Sequence, residues 1–198
     1  MPGSHITKLA LANAMKSIMA QQPFSRISVS DICAACGMSR KSFYYHFHDK
    51  YELVSWIFEK EFVLPNRARS FSSSWEFFEA ICAYFYANLT FYVSAFAVQG
   101  QNSFAQYFSE FLRPLASAYF KKLFPEGENN AFFTDFFTDA FLVSVIRWIR
   151  SPEPMPPQEY VGKLKEAIMG IGRLWDRGTI GSQNCNNVPK SDKNSGDS

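Results

Sequence analysis

Cations directly follow the capping residue at three predicted helix starts in the first fifty residues. The three starts are Thr7-Lys8, Ser39-Arg40-Lys41 and Asp49-Lys50. A cation in this position is unfavourable by about 0.3–1 kcal/mol, because the N-terminal end of a helix carries a partial positive charge. Free backbone N–H groups, a capping oxygen and a cation together favour a phosphate ligand. The pattern therefore indicates an anion-binding face, with a basic surface that arose by chance as the alternative.

The second of these starts belongs to a predicted helix-turn-helix. Ser30 is expected to cap a short helix that ends at Gly37, and Ser39 is expected to cap a second helix that ends near Phe47. Apolar residues that can form the small core of this unit are Ile32, Ala35, Met38, Phe43 and Phe47. The other side chains of residues 39–46 are cationic, hydroxyl and aromatic groups, which can bond phosphates and reach base edges. The spacing therefore predicts a helix that enters the major groove of DNA.

Cys33 and Cys36 suggest another chemistry, because a Cys-x-x-Cys pair with His46 and His48 could hold zinc or undergo redox reactions. Zinc fingers place about three to five residues between their histidines, whereas one residue separates these two. Both cysteines also stand where a helix-turn-helix packs small apolar residues, so we expect structural cysteines, no metal and no cofactor. The sequence has no glycine-rich phosphate loop and no nucleophile elbow, so we expect no catalytic residues and no enzyme.

Composition and charge agree with one DNA-binding segment on a larger helical body. The 198 residues are 47% hydrophobic, which excludes disorder for most of the chain. Residues 1–50 hold six Lys/Arg and two Asp, a net charge of +4, whereas the other 148 residues hold 14 Lys/Arg and 16 Asp/Glu, a net charge of −2. Strand-like alternation is scarce, so the expected fold class is all-α.

Sequence signals divide the chain into a series of helices. The predicted spans are 7–21, 30–37, 39–46, 49–64, 74–88, 90–99, 103–123, 131–150 and 158–176, with a break at 125–127. Pro65 is expected to end the fourth helix, and Pro114 to kink or split the seventh. We predict a DNA-binding domain over residues 1–50, a regulatory and dimerisation domain over 51–177, and a disordered tail over 178–198.

Residues 80–98 contain no charge and are long enough to be considered as a membrane span. Neither end carries Lys or Arg, and Asn88, Thr90 and Ser94 interrupt the stretch. We expect two short buried helices hinged between Asn88 and Thr90, and no association with a membrane. The N-terminus lacks the pattern of a signal peptide, so a cytoplasmic protein with reduced cysteines is expected.

Aromatic residues are concentrated in the middle of the chain, with 9 in residues 1–70, 23 in 71–150 and 2 in 151–198. In residues 132–149 apolar side chains occupy nearly every face of the predicted helix, so a second copy is expected to cover one side, together with the helix at 158–176. The residues predicted for this two-fold interface are Phe133, Phe137, Phe141, Trp148, Leu164, Ile168 and Ile171. The aromatics of 71–124 either close into a core or line a cavity for a small apolar or aromatic effector. The polar side chains available to such an effector are Tyr84, Asn88, Tyr92, Gln99 and Gln101.

The segment from Ile32 to Leu53, with its Tyr44-x-His46-Phe47-x-x-Lys50-x-x-Leu53 end, resembles the signature of the tetracycline-repressor (TetR) family of bacterial transcription regulators. The resemblance covers residues 7–54, about a quarter of the chain. It implies an N-terminal three-helix DNA-binding domain with a helix-turn-helix and a C-terminal helical domain for dimerisation and ligand binding. Base contacts are then expected from Lys41, Ser42 and Tyr45, and phosphate contacts from Thr7, Arg40, Tyr44, His46 and Lys50.

The rest of the chain resembles the branch of that family that regulates dihydroxyacetone-kinase operons. The similarity lies in Tyr51 to Phe58 and in Gly100 to Phe104. It implies a C-terminal domain that dimerises and, in some relatives, works with a partner protein instead of a small ligand. The sequence therefore predicts a homodimeric repressor that an effector releases from a palindromic operator in double-stranded DNA. The alternative is a co-regulator that acts through protein–protein contacts of its C-terminal domain.

Overall fold

The computed structural model describes residues 2–98, 100–123 and 130–176, with all of their side chains except those of residues 2, 3, 123 and 171–176. Helices and their connections make up these ranges, which confirms the all-α fold class. In chain order the elements are α1 (Pro2–Met19), a 3₁₀ turn (Phe24–Arg26), α2 (Val29–Cys36), α3 (Arg40–His46), α4 (Lys50–Phe58), a π-helical segment (Glu59–Val63), an α-helical turn (Leu64–Asn66), α5 (Ser74–Ala87), α6 (Leu89–Ala95), α7 (Phe104–Leu123), α8 (Asn130–Ile149) and α9 (Pro157–Asp176).

The described part of the chain divides into two compact units between Val161 and Gly162, so α9 begins in the first unit. The first unit contains a head, defined here as α1 to α3, and a body, defined as α5 to α8, with α4 and the π-helical segment between them in sequence. The predicted tail at 178–198 and the predicted break at 125–127 lie outside the described residues. In the second unit, the apolar side chains of Ile168 and Met169 in α9 are exposed.

The head is held together by an apolar core that its helices share with α4. Leu11 and Met15 of α1 are fully buried, as are Ile32 of α2, Phe43 of α3 and Leu53 of α4. Leu11 and Met15 are four residues apart and therefore lie on the same face of α1. This core holds α3 through the buried Phe43. The exposed side chains of α3 point away from the core.

Two predicted helix starts in the head are wrong. α1 begins at Pro2, so Thr7 is an interior helical residue and not a cap. α2 is capped by Ser28 instead of Ser30: the Ser28 Oγ accepts the Asp31 N–H at 3.2 Å, and the Asp31 carboxylate accepts the Ser28 N–H at 2.8 Å. This is a reciprocal capping box, and Ser28-x-x-Asp31 is its sequence signature.

Pro65 does not end the helix before it. The chain changes to π-helical hydrogen bonding over Glu59–Val63, and the Leu64 N–H donates to the carbonyl of Glu59. One further α-helical turn then includes Pro65 and ends at Asn66. A proline lacks the backbone donor of a helical residue, and the change in hydrogen-bond spacing accommodates it within the last turn. Pro114 likewise lies inside α7 without splitting it.

The body is built around an aromatic core. Phe58, Phe85, Tyr92, Phe104 and Phe108 are fully buried, and the Phe58 ring lies between 5.3 and 6.4 Å from the rings of its aromatic neighbours. The chain turns at Asn88 between α5 and α6, which confirms the predicted hinge. Among the described helices, none combines the length and the apolar character needed to cross a membrane.

Candidate nucleic-acid interface

A tight turn between α2 and α3 sets the direction of the second helix. Gly37 ends α2 with φ 67° and ψ 25°, a left-handed conformation that glycine adopts without steric cost. Its neighbour Met38 donates its N–H to the carbonyl of Cys33 at 2.9 Å. Ser39 then caps α3, because its Oγ accepts the Ser42 N–H at 3.1 Å. The predicted cap and turn are confirmed.

The outward face of α3 carries the side chains that the sequence assigned to DNA. Phe43 is fully buried and anchors the helix, whereas Tyr45 is 82% exposed and Tyr44 is 50% exposed. Arg40 and Lys41 are also exposed, and Ser42 and His46 are half-buried. The structure thus brings six of the eight predicted DNA contacts onto one short helix.

Arg40 and Tyr44 form a pair on this face. The guanidinium carbon of Arg40 lies 5.9 Å from the centroid of the Tyr44 ring. A side-chain hydrogen bond with Tyr44 raises the pKa of Arg40. Tyr45 stands edge-on to the His46 ring, with centroids 4.9 Å apart. Cationic and aromatic groups are therefore partly preorganised before any ligand arrives.

The N-terminal helix brings a further cation toward the same part of the head. Lys8 of α1 is half-buried, and its Nζ lies 5.0 Å from the Phe47 ring and 5.8 Å from the Trp56 ring. Thr7, the predicted phosphate contact, is half-buried beside it in the interior of α1. Sequence interpretation gave no role to Arg26, which is exposed at the end of the 3₁₀ turn.

Lys50, which the sequence predicts as a phosphate contact, has hydrogen-bond partners within the protein. Its Nζ donates to the carbonyl oxygens of Ile27 at 2.7 Å and of Phe24 at 2.9 Å, with the Ser25 carbonyl at 3.5 Å. Burial lowers the pKa of the ammonium. The side chain points into the turn after α1, so its ammonium has carbonyl partners in this structure. Asp49 caps α4 as predicted, accepting the N–H groups of Tyr51 and Glu52 at 2.8 Å.

Both cysteines of the Cys-x-x-Cys pair pack into the head. Cys33 is buried in the core, and Cys36 is half-buried against it with its Sγ 3.3 Å from the carbonyl of Ile32. Burial raises the pKa of the Cys33 thiol, which disfavours the thiolate that metals and oxidants require. The prediction of structural cysteines is confirmed.

The aromatic residues predicted for the dimer interface pack within their own protomer. The rings of Phe133 and Phe137 lie 6.0 and 5.0 Å from Phe120 of α7, and Phe141 lies 4.5 Å from Phe78 of α5. Trp148 is buried, stacks 4.4 Å from Tyr160, and donates its Nε1–H to the Met155 carbonyl. Leu164 and Ile168 lie in the second unit, and the side chain of Ile171 lies outside the described residues.

A different set of α8 side chains points outward. Phe132 is 65% exposed, Phe136 is 56% exposed and Val143 is 52% exposed. These residues share one face of the helix, which we call the outward α8 face. The exposed apolar residues of α8 are therefore different from those predicted for the interface.

The polar groups predicted for an effector have partners within the protein. The Tyr92 hydroxyl donates to that of Tyr84 at 2.9 Å, and the Tyr84 hydroxyl donates to the Glu61 carboxylate at 3.1 Å. Asn88 donates to the Tyr84 carbonyl at 3.0 Å. Gln101 is exposed, and Gln99 lies outside the described residues. The tyrosine and asparagine side chains therefore serve internal hydrogen bonds in this structure.

Comparison with known proteins agrees with this division into head and body. Residues 11–56 match the family model of bacterial regulatory proteins of the tetR family, and residues 73–170 match that of the transcriptional regulator C-terminal region of the same family. The chain belongs to the tetR family. As a tetR-family regulator it has an N-terminal DNA-binding helix-turn-helix domain, which contains α2 and α3, and a C-terminal helical domain.

Relatives place this tetR-family chain near one branch. The HTH-type dhaKLM operon transcriptional activator DhaS of Lactococcus lactis subsp. lactis (strain IL1403) is 42% identical over 62 residues, which are 31% of this chain and 33% of the relative. The match therefore spans about one third of that relative's length.

Two solved structures share the fold. The dihydroxyacetone kinase operon activator DhaS superposes with a TM-score of 0.59 at 23% identity, covering 84% of this chain and 97% of that structure. A TetR transcriptional regulator from Streptococcus agalactiae 2603V superposes with a TM-score of 0.62 at 20% identity, covering 82% and 93%.

Proposed function

We propose that this tetR-family protein is a cytoplasmic homodimer that binds a palindromic operator with one head on each half-site. The observation that carries the proposal is the outward face of α3, where cationic, hydroxyl and aromatic side chains project from a helix anchored by Phe43. In this proposal Lys41, Ser42 and Tyr45 contact bases, and Arg40, Tyr44, His46 and Thr7 contact phosphates. Residues 1–50 serve as the DNA-binding domain and residues 51–177 as the regulatory domain.

The dimer forms through the outward α8 face. Two-fold symmetry places the same patch of each copy in contact, so one apolar face is enough to form the interface. Such a dimer would present two recognition helices about 34–36 Å apart, which is one turn of DNA. An effector or partner that changes this separation would lower operator affinity.

The test of DNA binding uses Lys41→Ala and Tyr45→Ala, alone and together, on a duplex selected in vitro by the wild-type protein. Each lost base contact is expected to lower affinity for the selected duplex by about 1–3 kcal/mol, with little change on an unrelated duplex. Both side chains are exposed, so the free energy of unfolding should stay within about 0.5 kcal/mol of wild type. Equal affinity of the double variant and the wild type at every salt concentration would contradict the proposed interface.

The direction of regulation has two candidates. Repression through operator occupancy is the mode predicted from the sequence. Activation is favoured by the name of the curated relative, which is an operon activator. A reporter gene behind the selected operator distinguishes them, because expression falls with a repressor and rises with an activator. The co-regulator alternative lacks such support, since the matched relative and both matched structures are regulators with a DNA-binding head.

The signal received by the body is a small apolar or aromatic effector or a partner protein. The internal hydrogen bonds of Tyr84 and Tyr92 favour a closed core around these hydroxyls. The name of the curated relative links it to the dhaKLM operon, and on that basis we propose that this protein regulates genes of related metabolism.

A further inference from the structure

The 3₁₀ turn between α1 and α2 is held from two opposite sides. We propose that Lys50 and Ser94 are positioning residues for operator binding. Their hydrogen bonds to this turn fix the orientation of the head on the body. The proposal rests on the DNA-binding function of the family and concerns how this chain orients its recognition helix. Neither residue contacts DNA in this proposal.

The first set of hydrogen bonds comes from Lys50 at the start of α4. An ammonium group has three donors, and all carbonyl partners of the Lys50 Nζ belong to the turn and its flanks, at Phe24, Ser25 and Ile27. The Nζ also lies 4.5 Å from the centroid of the Phe24 ring and 5.6 Å from that of Tyr51. Carbonyl groups at the end of a helical turn carry partial negative charge, so the cation stabilises this conformation.

The second contact is a hydrogen bond to the body. The Phe24 N–H donates to the Oγ of Ser94 in α6 at 2.9 Å, in a partly buried contact. The residue before the turn is Pro23, whose side chain makes no capping hydrogen bond. Ser94 therefore acts as the N-terminal cap of this turn, although it lies 70 residues away in the sequence.

Both contacts involve the backbone of a single residue, Phe24. The amide of Phe24 is bonded to the body and its carbonyl to Lys50, while its ring is buried and stands edge-on to Tyr51 at 5.2 Å. Lys50 is the first residue of α4 and follows α3 by only three residues. A short path of hydrogen bonds therefore connects α6 to the start of α4, which follows the recognition helix closely in the chain.

Orientation matters because a palindromic operator must be met by two heads at once. A head that tilts on its body still fits a single half-site, but two tilted heads no longer match both half-sites together. Loss of the hydrogen bonds of either Lys50 or Ser94 is therefore expected to lower affinity for a full operator more than affinity for a half-site. Damage to the head itself would lower both affinities equally.

Salt dependence separates this role from a phosphate contact. Each phosphate contact contributes about 0.9 to the slope of log K against log salt concentration. Arg40→Ala is the matched control, because Arg40 is exposed on α3 and is proposed to contact a phosphate, so its loss should reduce the slope by about one. Lys50→Met should lower affinity by roughly tenfold at every salt concentration while leaving the slope unchanged.

The second pair of variants keeps the test decisive if Lys50→Met folds poorly. Ser94→Thr retains the hydroxyl acceptor, and Ser94→Val has the same shape without it. Ser94 borders an open groove lined by Met19, Pro23, Leu89, Val93 and Ile149. Ser94→Val should lower the ratio of full-site to half-site affinity by roughly fivefold, and Ser94→Thr should restore the wild-type ratio.

The measurement is titration of each folded full-length variant with a duplex selected in vitro by the wild-type protein and with its single half-site. A slope reduced by about one in Lys50→Met would overturn the positioning role of that residue. Equal ratios in Ser94→Val and Ser94→Thr would overturn that of Ser94. Failure of the wild-type protein to bind any selected duplex in a salt-dependent manner would instead count against the function itself.

Discussion

Cys82 is the most deeply buried thiol of the described body, with none of its side chain exposed. Burial raises the pKa of its thiol from 9.0 to about 12, with a smaller contribution from the nearby charge of Glu79. Burial similarly raises the pKa of Tyr107 and of Tyr160 to about 12. These protons are therefore retained in the folded protein at pH values where an unfolded chain would lose them.

Stability is consequently expected to fall in alkaline solution. Above about pH 9 the unfolded state binds fewer protons than the folded state, so the free energy of unfolding decreases as pH rises toward 12. A single group contributes at most about 1.4 kcal/mol per pH unit. Urea denaturation at a series of pH values measures this slope, and Cys82→Ala should reduce it between pH 9 and 10. An unchanged slope in Cys82→Ala would show that another group is responsible.

Residue types alone cannot distinguish neighbouring positions on an apolar helix. Phe132 and Phe133 are identical in kind, as are Phe136 and Phe137, yet the first of each pair is exposed and the second packs on Phe120. When nearly every face is apolar, spacing gives no direction to the core. On α3, by contrast, Phe43 stands among polar neighbours, so its inward direction and the outward DNA-binding face could be predicted.

At the scale of elements, capping chemistry determines where helices begin. The two nearby serines at the start of α2 differ in their relation to Asp31, since only Ser28 has an acidic residue three positions later. Ser28 Oγ and Asp31 together satisfy two backbone N–H groups, whereas Ser30 is exposed inside the helix. The distinction was available in the sequence as the spacing of a capping box.

Ser28→Ala is therefore expected to lower the free energy of unfolding by about 1 kcal/mol through loss of the cap. Ser30→Ala is the matched control and should change it by less than about 0.5 kcal/mol. Chemical denaturation of both variants checks the difference. Equal destabilisation by the two substitutions would contradict the assignment of the cap.

Most elements of the body followed from sequence because strong breakers lie between them. The predicted helices at 74–88, 103–123 and 131–150 agree closely with α5, α7 and α8, and outside the body the predicted helix at 158–176 agrees with α9. Pro65 failed as a breaker for a physical reason. A proline near a helix end costs only one donor, and the π-helical hydrogen bond from Leu64 to Glu59 had already changed the spacing before it. The Ser94 cap could not be predicted, because it depends on a contact between distant parts of the chain.

At the scale of the whole molecule, the outward α8 face decides whether two copies associate. Phe132, Phe136 and Val143 expose apolar surface on a helix whose opposite side is already packed. Exposed apolar surface of this kind is typical of a protein interface. The proposed dimer would cover it and, through two-fold symmetry, set the distance between the heads.

Phe136→Glu should convert the dimer into a monomer, because it introduces a charge at the centre of this face. Ile6→Glu is a suitable control, since Ile6 of α1 is 66% exposed and lies in the head. Sedimentation velocity at micromolar concentration measures the outcome, and full-operator affinity should fall with the monomeric variant. A wild-type monomer, or a Phe136→Glu dimer as stable as wild type, would exclude the outward α8 face as the interface.

The π-helical segment has a consequence for exchanging heads between relatives. The segment lies within residues 57–72, the stretch between the two matched family models. The carboxylate of its Glu61 accepts hydrogen bonds from Lys16 of α1 and from the hydroxyl of Tyr84 of α5. An α-helix turns by about 100° per residue, so removing one residue here would rotate everything that follows by that angle. A chimera joined before Glu59 or after Asn66 keeps this rotation, whereas a join inside the segment alters the angle between the foreign head and its new body.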